Sequence, residues 1–330
     1  MSKPRYISVC SGIEAASVAW HPLGFEPVCF AEIDAFPSAV LAHRWPGIPN
    51  VGDFTQIGGD LAADILVGGT PCQSFSIAGK RLGLDDPRGN LAIEFLRLAQ
   101  RVGARWLVWE NVPGVLSANG GRDFGAFLGL LGELGYGWAY RVLDAQYFGV
   151  PQQRDRVFLV GCLGDWRGPA AVLFEPPGVL GDLASGEKAQ ADVARCLASG
   201  DNACRRNDIS VETFIPSVAY SVRTQDRRVG QGWNSTMIAH TLRAEGFDAS
   251  EDGTGRGTPM VHSGFGVRRL MPIETERLQG FPDDYTLVPY RGKPAADGPR
   301  YKAIGNSMAV PVMRWLGVRL RRVIKLMEPA

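Results

Sequence analysis

The chain has 330 residues, is 45% hydrophobic and 21% charged, and carries a formal net charge of +1. That length can bury a sizeable core over two unequal domains, and the near-neutral balance excludes nucleic-acid binding by bulk charge, so such a partner would require a localised basic face. No apolar run reaches a membrane span, the amino terminus reads as a strand and not a signal peptide, and Cys10, Cys29, Cys72, Cys162, Cys196 and Cys204 include no CxxC pair and no histidines at zinc spacing. A soluble, cytoplasmic protein with neither disulfides nor a metal site is expected.

Residues 6–10 read as a first strand, and Ser11-Gly12-Ile13-Glu14 as the turn into a helix whose apolar positions include Ala16, Val18, Ala19 and Leu23. A second strand over 27–31 ends on Glu32. A turn after the first strand and an acid at the tip of the second, about 20 residues on, is the layout that holds a ribose diol. A simply solvated Glu32 is the plainer reading. The turn lacks the full GxGxxG pattern, which counts against a pyrophosphate and hence against a nicotinamide dehydrogenase, whereas an adenosyl cofactor without phosphates needs no such cluster. A helix over 38–45 then leads to Asp53, in a loop on the same edge.

The apolar run 63–67 predicts a buried parallel strand, which places Cys72, in Gly68-Gly69-Thr70-Pro71-Cys72-Gln73, just past its carboxyl end. That position suits a nucleophile, although most free cysteines are small core residues. Pro71 fixes the backbone before the thiol, and the polar, Gly-rich run to Arg88-Gly89-Asn90 resembles a lid. A helix over 91–102 and a strand over 105–109 deliver Glu110-Asn111, with a solvated or capping acid as the alternative. After a helix over 124–134, strands over 140–143 and 157–160 flank a segment in which Arg154 and Arg156 alternate and so share a face. Two such arginines are surface charge unless an anion meets them.

From Gly164 the composition changes to an irregular, β-leaning stretch rich in Gly, Pro, Asp and Arg and without a strong helix. Its arginines, among them Arg227 and Arg228, lie near Gln225, Gln231 and Asn234, a chemistry suited to phosphates and base edges or to an ordinary polar surface. The α/β pattern resumes near Arg268, with a helix over 272–278 and a terminal helix carrying Val312, Trp315, Leu316 and Leu320 on one side. Arg319, Arg321, Arg322 and Lys325 suit the carboxyl end of that helix's dipole. The expected division is 1–163, an insert over 164–264, and a return segment over 265–330 that completes the first domain.

Taken in order, Val9-Cys10-Ser11-Gly12-Ile13, Glu32, Gly52-Asp53, Gly69-Thr70-Pro71-Cys72-Gln73, Glu110-Asn111-Val112, Gln152-Gln153-Arg154-Asp155-Arg156, residues 276–282 and Gly305-Asn306-Ser307 resemble the cytosine-5 DNA methyltransferase family. The resemblance covers 5–163 and 266–320 and implies an α/β, Rossmann-like domain dependent on S-adenosylmethionine, with the insert as a target-recognition domain. It implies Cys72 as the thiolate that adds to carbon 6 of a flipped cytosine, Glu110 against ring nitrogen 3, and Asn111 fixing the turn. Arg156 would reach the cytosine carbonyl oxygen, and Arg154 would hold Glu110 and the Cys72 loop in register. The implied cofactor residues are Cys10, Gly12, Ile13, Glu32, Asp53, Phe54, Pro71, Leu91, Asn306, Ser307 and Met308. Gln73, Ser76 and Arg88 would close on double-stranded DNA, and Arg227 and Arg228 belong to its recognition. The enzyme is expected as a monomer. Cys10 stands where the family has an aromatic residue, and Glu14 and Ala15 where it has glycines. A tRNA-modifying relative and a catalytically silent DNA-binding relative are the competing readings.

Overall fold

The computed structural model describes residues 3–71, 91–175, 260–263 and 266–327. Cys72, Gln73, Ser76, Arg88, Arg227 and Arg228, with most of the insert, lie outside the described residues.

The apolar runs form strands β1 (Arg5–Val9), β2 (Glu26–Ala31), β3 (Ile65–Gly68) and β4 (Trp106–Asn111), all parallel, followed by β5 (Tyr136–Asp144) and β6 (Asp155–Leu163). They make one six-stranded sheet in the order β2-β1-β3-β4-β6-β5. Alternate residues feed two cores, as the period of two requires. Tyr6, Ile65, Val67, Val108 and Val160 lie in one. Ile7, Val9, Leu66, Leu107 and Leu159 lie in the other.

Helices α3 (Leu91–Arg101) and α4 (Arg122–Glu133) cover the second face through Phe95, Leu96, Phe124 and Phe127. The first face is covered by α1 (Ala15–Trp20), α2 (Ala35–Arg44), α5 (Arg167–Leu173), α6 (Pro272–Gln279), α7 (Asp297–Asn306) and α8 (Val310–Met327). The return segment thus completes the layer around α1: Trp20 Nε1 donates to the Met313 carbonyl at 2.7 Å. Two backbone hairpins, β7 (Met260–Ser263) with β8 (Gly266–Arg269) and β9 (Pro289–Tyr290) with β10 (Lys293–Pro294), stand outside the main sheet.

This is a doubly wound, Rossmann-like α/β fold. Because β1 has β2 on one side and β3 on the other, the strand order reverses there, and the crevice beyond their carboxyl ends is where such sheets bind ligands. The chain departs from the sequence reading in two places. The packed fold runs past residue 163 into α5, whose Val172 and Leu173 are buried. Helix α7 was not anticipated. Two arginines of α8 reach neighbouring elements: Arg319 donates to the Ala171 carbonyl at 2.9 Å and to those of Val172 and Phe174, closing the end of α5, and Arg321 donates to the Leu23 carbonyl, while Lys325 stays in the last turn of α8.

Candidate active site

The carboxyl ends of β1, β3 and β4 line one cleft, with that of β2 tied in beside it. At the end of β1 the backbone turns through Cys10 (φ 48°), Gly12 (φ 54°) and Glu14 (φ 65°), a left-handed run that is costly for the two non-glycine residues. The turn is tied to β2. Ser11 N donates to the Ala31 carbonyl at 3.2 Å, and Gly12 N donates to Glu32 Oε2 at 2.8 Å. Glu32 Oε1 accepts from Asp34 N at 2.7 Å, and Asn50 bridges the Glu32 backbone. The Glu32 carboxylate is therefore held by one N–H on each oxygen and keeps acceptor capacity for a ribose hydroxyl. Asp53 caps a short 3-10 turn, its Oδ1 accepting from Thr55 N at 2.9 Å. Burial, with Glu32 and Asp53 beside it, pushes the Cys10 thiol up to about 12, so this cysteine stays protonated.

The second half of the cleft lies at β3 and β4. Asn111, buried at the end of β4, donates from Nδ2 to the Thr70 carbonyl at 2.9 Å and accepts from Val112 N at 2.9 Å. Trp109 Nε1 donates to Thr70 Oγ1 at 3.0 Å. Backbone and side chain of Thr70 are thereby fixed two residues before Cys72. Gly69 is the seat of Glu110: a Cβ there would lie 2.8 Å from Glu110 Oε2 and 3.3 Å from the Glu110 carbonyl oxygen.

Strand β6 runs antiparallel to β4, with Phe158 opposite Glu110 and Val157 opposite Asn111, so its first residues, not its last, meet the end of β4. Arg156 Nε lies 3.1 Å from Glu110 Oε1, and both side chains are largely buried. Arg154, also buried, donates from Nη2 to the Gly305 carbonyl at 3.1 Å and the Ser307 carbonyl at 2.7 Å. Burial raises the Glu110 carboxyl above the ordinary carboxylate range, against the opposing pull of Arg156 and then Arg154. Burial and the repulsion of Arg156 lower the Arg154 guanidinium to about 9, with Glu110 opposing, which leaves it charged at neutral pH.

The structure thus brings Cys10, Gly12, Glu110, Asn306, Ser307 and Met308 around one cleft, with Arg154 and Arg156 behind Glu110 and with Glu32 and Asp53 near Cys10. Pro71 precedes Cys72 directly, and Leu91 opens α3 against the second core. Arg156 pairs with Glu110, and Arg154, whose charge also acts on Glu110, clasps the segment around Asn306. The side chains of Ile13 and Phe54 are buried in the two cores. Ser8 of β1 also lines the cleft, beyond the residues expected from the sequence, and Gly69 has a steric part not expected there. Glu14, expected only as a departure from the family pattern, is buried as the cap of α1, its carboxyl accepting from Ser17 N at 2.9 Å and from the Ser17 hydroxyl. A small polar residue within an apolar strand was the available signal for Ser8.

The sequence model of the family described as C-5 cytosine-specific DNA methylase matches residues 5–322. The chain is 36% identical to a protein of Escherichia phage P1 named DNA N-6-adenine-methyltransferase, over 98% of this chain and 62% of that protein, so it spans less than two thirds of that relative's length. It is 29% identical to the type II methyltransferase M2.BsuMI of Bacillus subtilis (strain 168), over 96% of this chain and 75% of the relative. Among solved structures, the S. pombe Dnmt2 methyltransferase superposes with a TM-score of 0.62 at 16% identity, covering 97% of this chain and 99% of that one, which is a likeness of fold.

Proposed function

Because the chain belongs to the C-5 cytosine-specific DNA methylase family, we propose that it methylates carbon 5 of a cytosine flipped out of double-stranded DNA, with Cys72 as the nucleophile. The family is S-adenosylmethionine-dependent, and the Glu32 carboxylate anchored on Gly12 N–H fits an adenosyl ribose. The cofactor, when bound, supplies an electrophilic methyl group.

The observation that carries the reading is Glu110, a buried carboxyl seated on Gly69, paired with Arg156, and joined through Asn111 to the backbone that leads into Cys72. Cytosine is too electron-poor at carbon 5 to attack a methyl donor. The Cys72 thiolate adds its electron pair to carbon 6, and the ring becomes nucleophilic at carbon 5. Glu110, raised in proton affinity by burial, donates a hydrogen bond or its proton to ring nitrogen 3 as negative charge develops there. Arg156 stays beside it and presents the remaining N–H groups of its guanidinium to the carbonyl oxygen of the base. Arg154 keeps the 305–307 backbone closed on the cleft. After transfer, the proton on carbon 5 leaves to a base, the carbon–sulfur bond breaks, and the Cys72 thiolate is regenerated. Flipping the base costs about a few kcal/mol of stacking and pairing, which contacts of Gln73, Ser76, Arg88, Arg227 and Arg228 with DNA would offset. The reaction belongs in the cytoplasm of a bacterial cell or a phage-infected host, with the protein acting as a monomer. Among the described residues no helix is long and apolar enough to cross a membrane.

The name of the phage P1 relative favours a second reading, methylation of the adenine amino group. An exocyclic amine attacks a methyl donor directly, and neither a thiolate nor a ring-protonating carboxyl has a task in that reaction. That relative also extends well beyond the part shared with this chain. The test is denaturing electrophoresis of the protein with S-adenosylmethionine and duplex DNA carrying 5-fluorocytosine in place of cytosine. A covalent protein–DNA species that is absent from Cys72→Ala is expected. A folded wild-type protein that methylates ordinary DNA yet forms no such species would exclude the adduct mechanism.

A further inference from the structure

The hairpin β9–β10 is a rigid display for two cations. Tyr290 pairs with Lys293, so the loop is the two residues Arg291 and Gly292, at φ 52° and φ 78°. Two left-handed residues make a type I′ turn, whose first central position favours Asn, Asp or Gly. An arginine there is sterically disfavoured. The base of the hairpin is fixed: Ala295 N donates to the Val288 carbonyl at 3.0 Å, both residues are buried, and the Tyr290 ring meets Phe36 edge-on at 5.1 Å.

Other cations of the return segment are already paired. Arg277 pairs with Asp283 at 2.6 Å, Arg300 with buried Glu276 at 3.2 Å, and Lys302 with Asp34 at 3.6 Å. Arg291 and Lys293 are exposed, and among the described residues neither makes an ion pair; the Arg291 guanidinium lies over the Tyr290 ring. A net charge of +1 means that an anionic polymer must be met by local groups of this kind.

Their place on the fold indicates the partner. Phe36 is the second residue of α2, which leaves the sheet just beyond Glu32, so the hairpin sits on the rim of the carboxyl edge at β2. Glu110 lies near the carboxyl end of β4, on the same edge of the sheet and three strands from β2.

We propose that Arg291 and Lys293 bind backbone phosphates of the target DNA. The proposal rests on the DNA reading given above. Phosphate contacts of this kind fix the register of the duplex without reading its sequence.

The test is the salt dependence of duplex DNA binding, followed by fluorescence anisotropy, for the full chain and for the variant Arg291→Asn/Lys293→Gln. Asn suits the I′ turn, so the variant should melt at the same temperature as the wild type. Each lost phosphate contact lowers the slope of log K against log salt by about 0.9. The double variant should therefore show a slope shallower by about 1.8 and bind about tenfold or more weakly near 0.1 M salt. An unchanged slope in a variant that binds DNA overturns the hairpin contact and leaves the DNA reading intact. A wild-type chain that binds no duplex DNA, or binds only tRNA, overturns both.

Discussion

Gly69→Ala isolates the placement of Glu110 from the stability of the fold. An ideal Cβ at residue 69 would lie 2.8 Å from Glu110 Oε2, against about 3.4 Å for ordinary contact, so the carboxyl must retreat by about 0.6 Å. It is the free end of a flexible side chain and can do so, but the movement lengthens the 3.1 Å contact with Arg156 and turns the carboxyl from the position proposed for it at ring nitrogen 3. Misplacement by 1 Å can cost about a hundredfold in rate, and loss of a charge-assisted hydrogen bond about 1.5–3 kcal/mol. We expect kcat to fall by about 10- to 100-fold with little change in melting temperature. Gly68→Ala is the control: its Cβ would strike the Val9 backbone oxygen at 2.4 Å, which cannot move without parting β1 from β3, so that variant should lose stability first. Steady-state transfer of tritiated methyl groups to unmethylated genomic DNA, beside thermal melting, separates the two. A folded Gly69→Ala protein with kcat within twofold of wild type would refute the seating of Glu110 on Gly69.

Asn111→Ala leaves the Thr70 carbonyl and Val112 N–H without their partner, at a cost of about 1–3 kcal/mol. Thermal melting should show a loss of a few degrees, and turnover should fall further than that loss explains. Glu14 gives a pH signature. Its folded pKa is raised by burial, opposed by hydrogen bonds from Ser17 and Ser8, so the protonated form is favoured in the folded chain. The stability associated with that proton is fully present below the unfolded pKa and is lost as pH rises through the folded one. Melting curves from pH 4.5 upward should therefore show wild type losing stability relative to Glu14→Gln, and a constant difference would contradict the burial of an ionisable carboxyl there.

Much of the central sheet was legible because β1 to β4 are covered on both faces and so read as apolar runs; residues such as Ile65, Leu66 and Val67 are all inaccessible. Strand β5 was read only over 140–143 because it is the sheet's edge: Tyr140 and Val142 are exposed and the apolar signal is diluted. The antiparallel direction of β6 is a tertiary fact that periodicity cannot give, although it decides which end of the strand carries Arg154 and Arg156 to Glu110. Helix α7 was missed because it buries Arg300, Ala303, Ile304 and Gly305 and contains Pro299, so no apolar stripe marks it. At the site, the carboxyl and arginines were visible as residue types. Which arginine pairs with Glu110, and that Gly69 must lack a Cβ, follow only from distances.

Methylation of cytosine through Cys72 is read most directly from the modified bases left on DNA. The protein and its Cys72→Ala variant would be expressed in cells that methylate neither cytosine nor adenine, and the recovered DNA digested to nucleosides and quantified by mass spectrometry. 5-Methylcytosine is expected with the wild type and none with the variant. N6-methyladenine without 5-methylcytosine, unchanged by loss of Cys72, would contradict the proposed reaction.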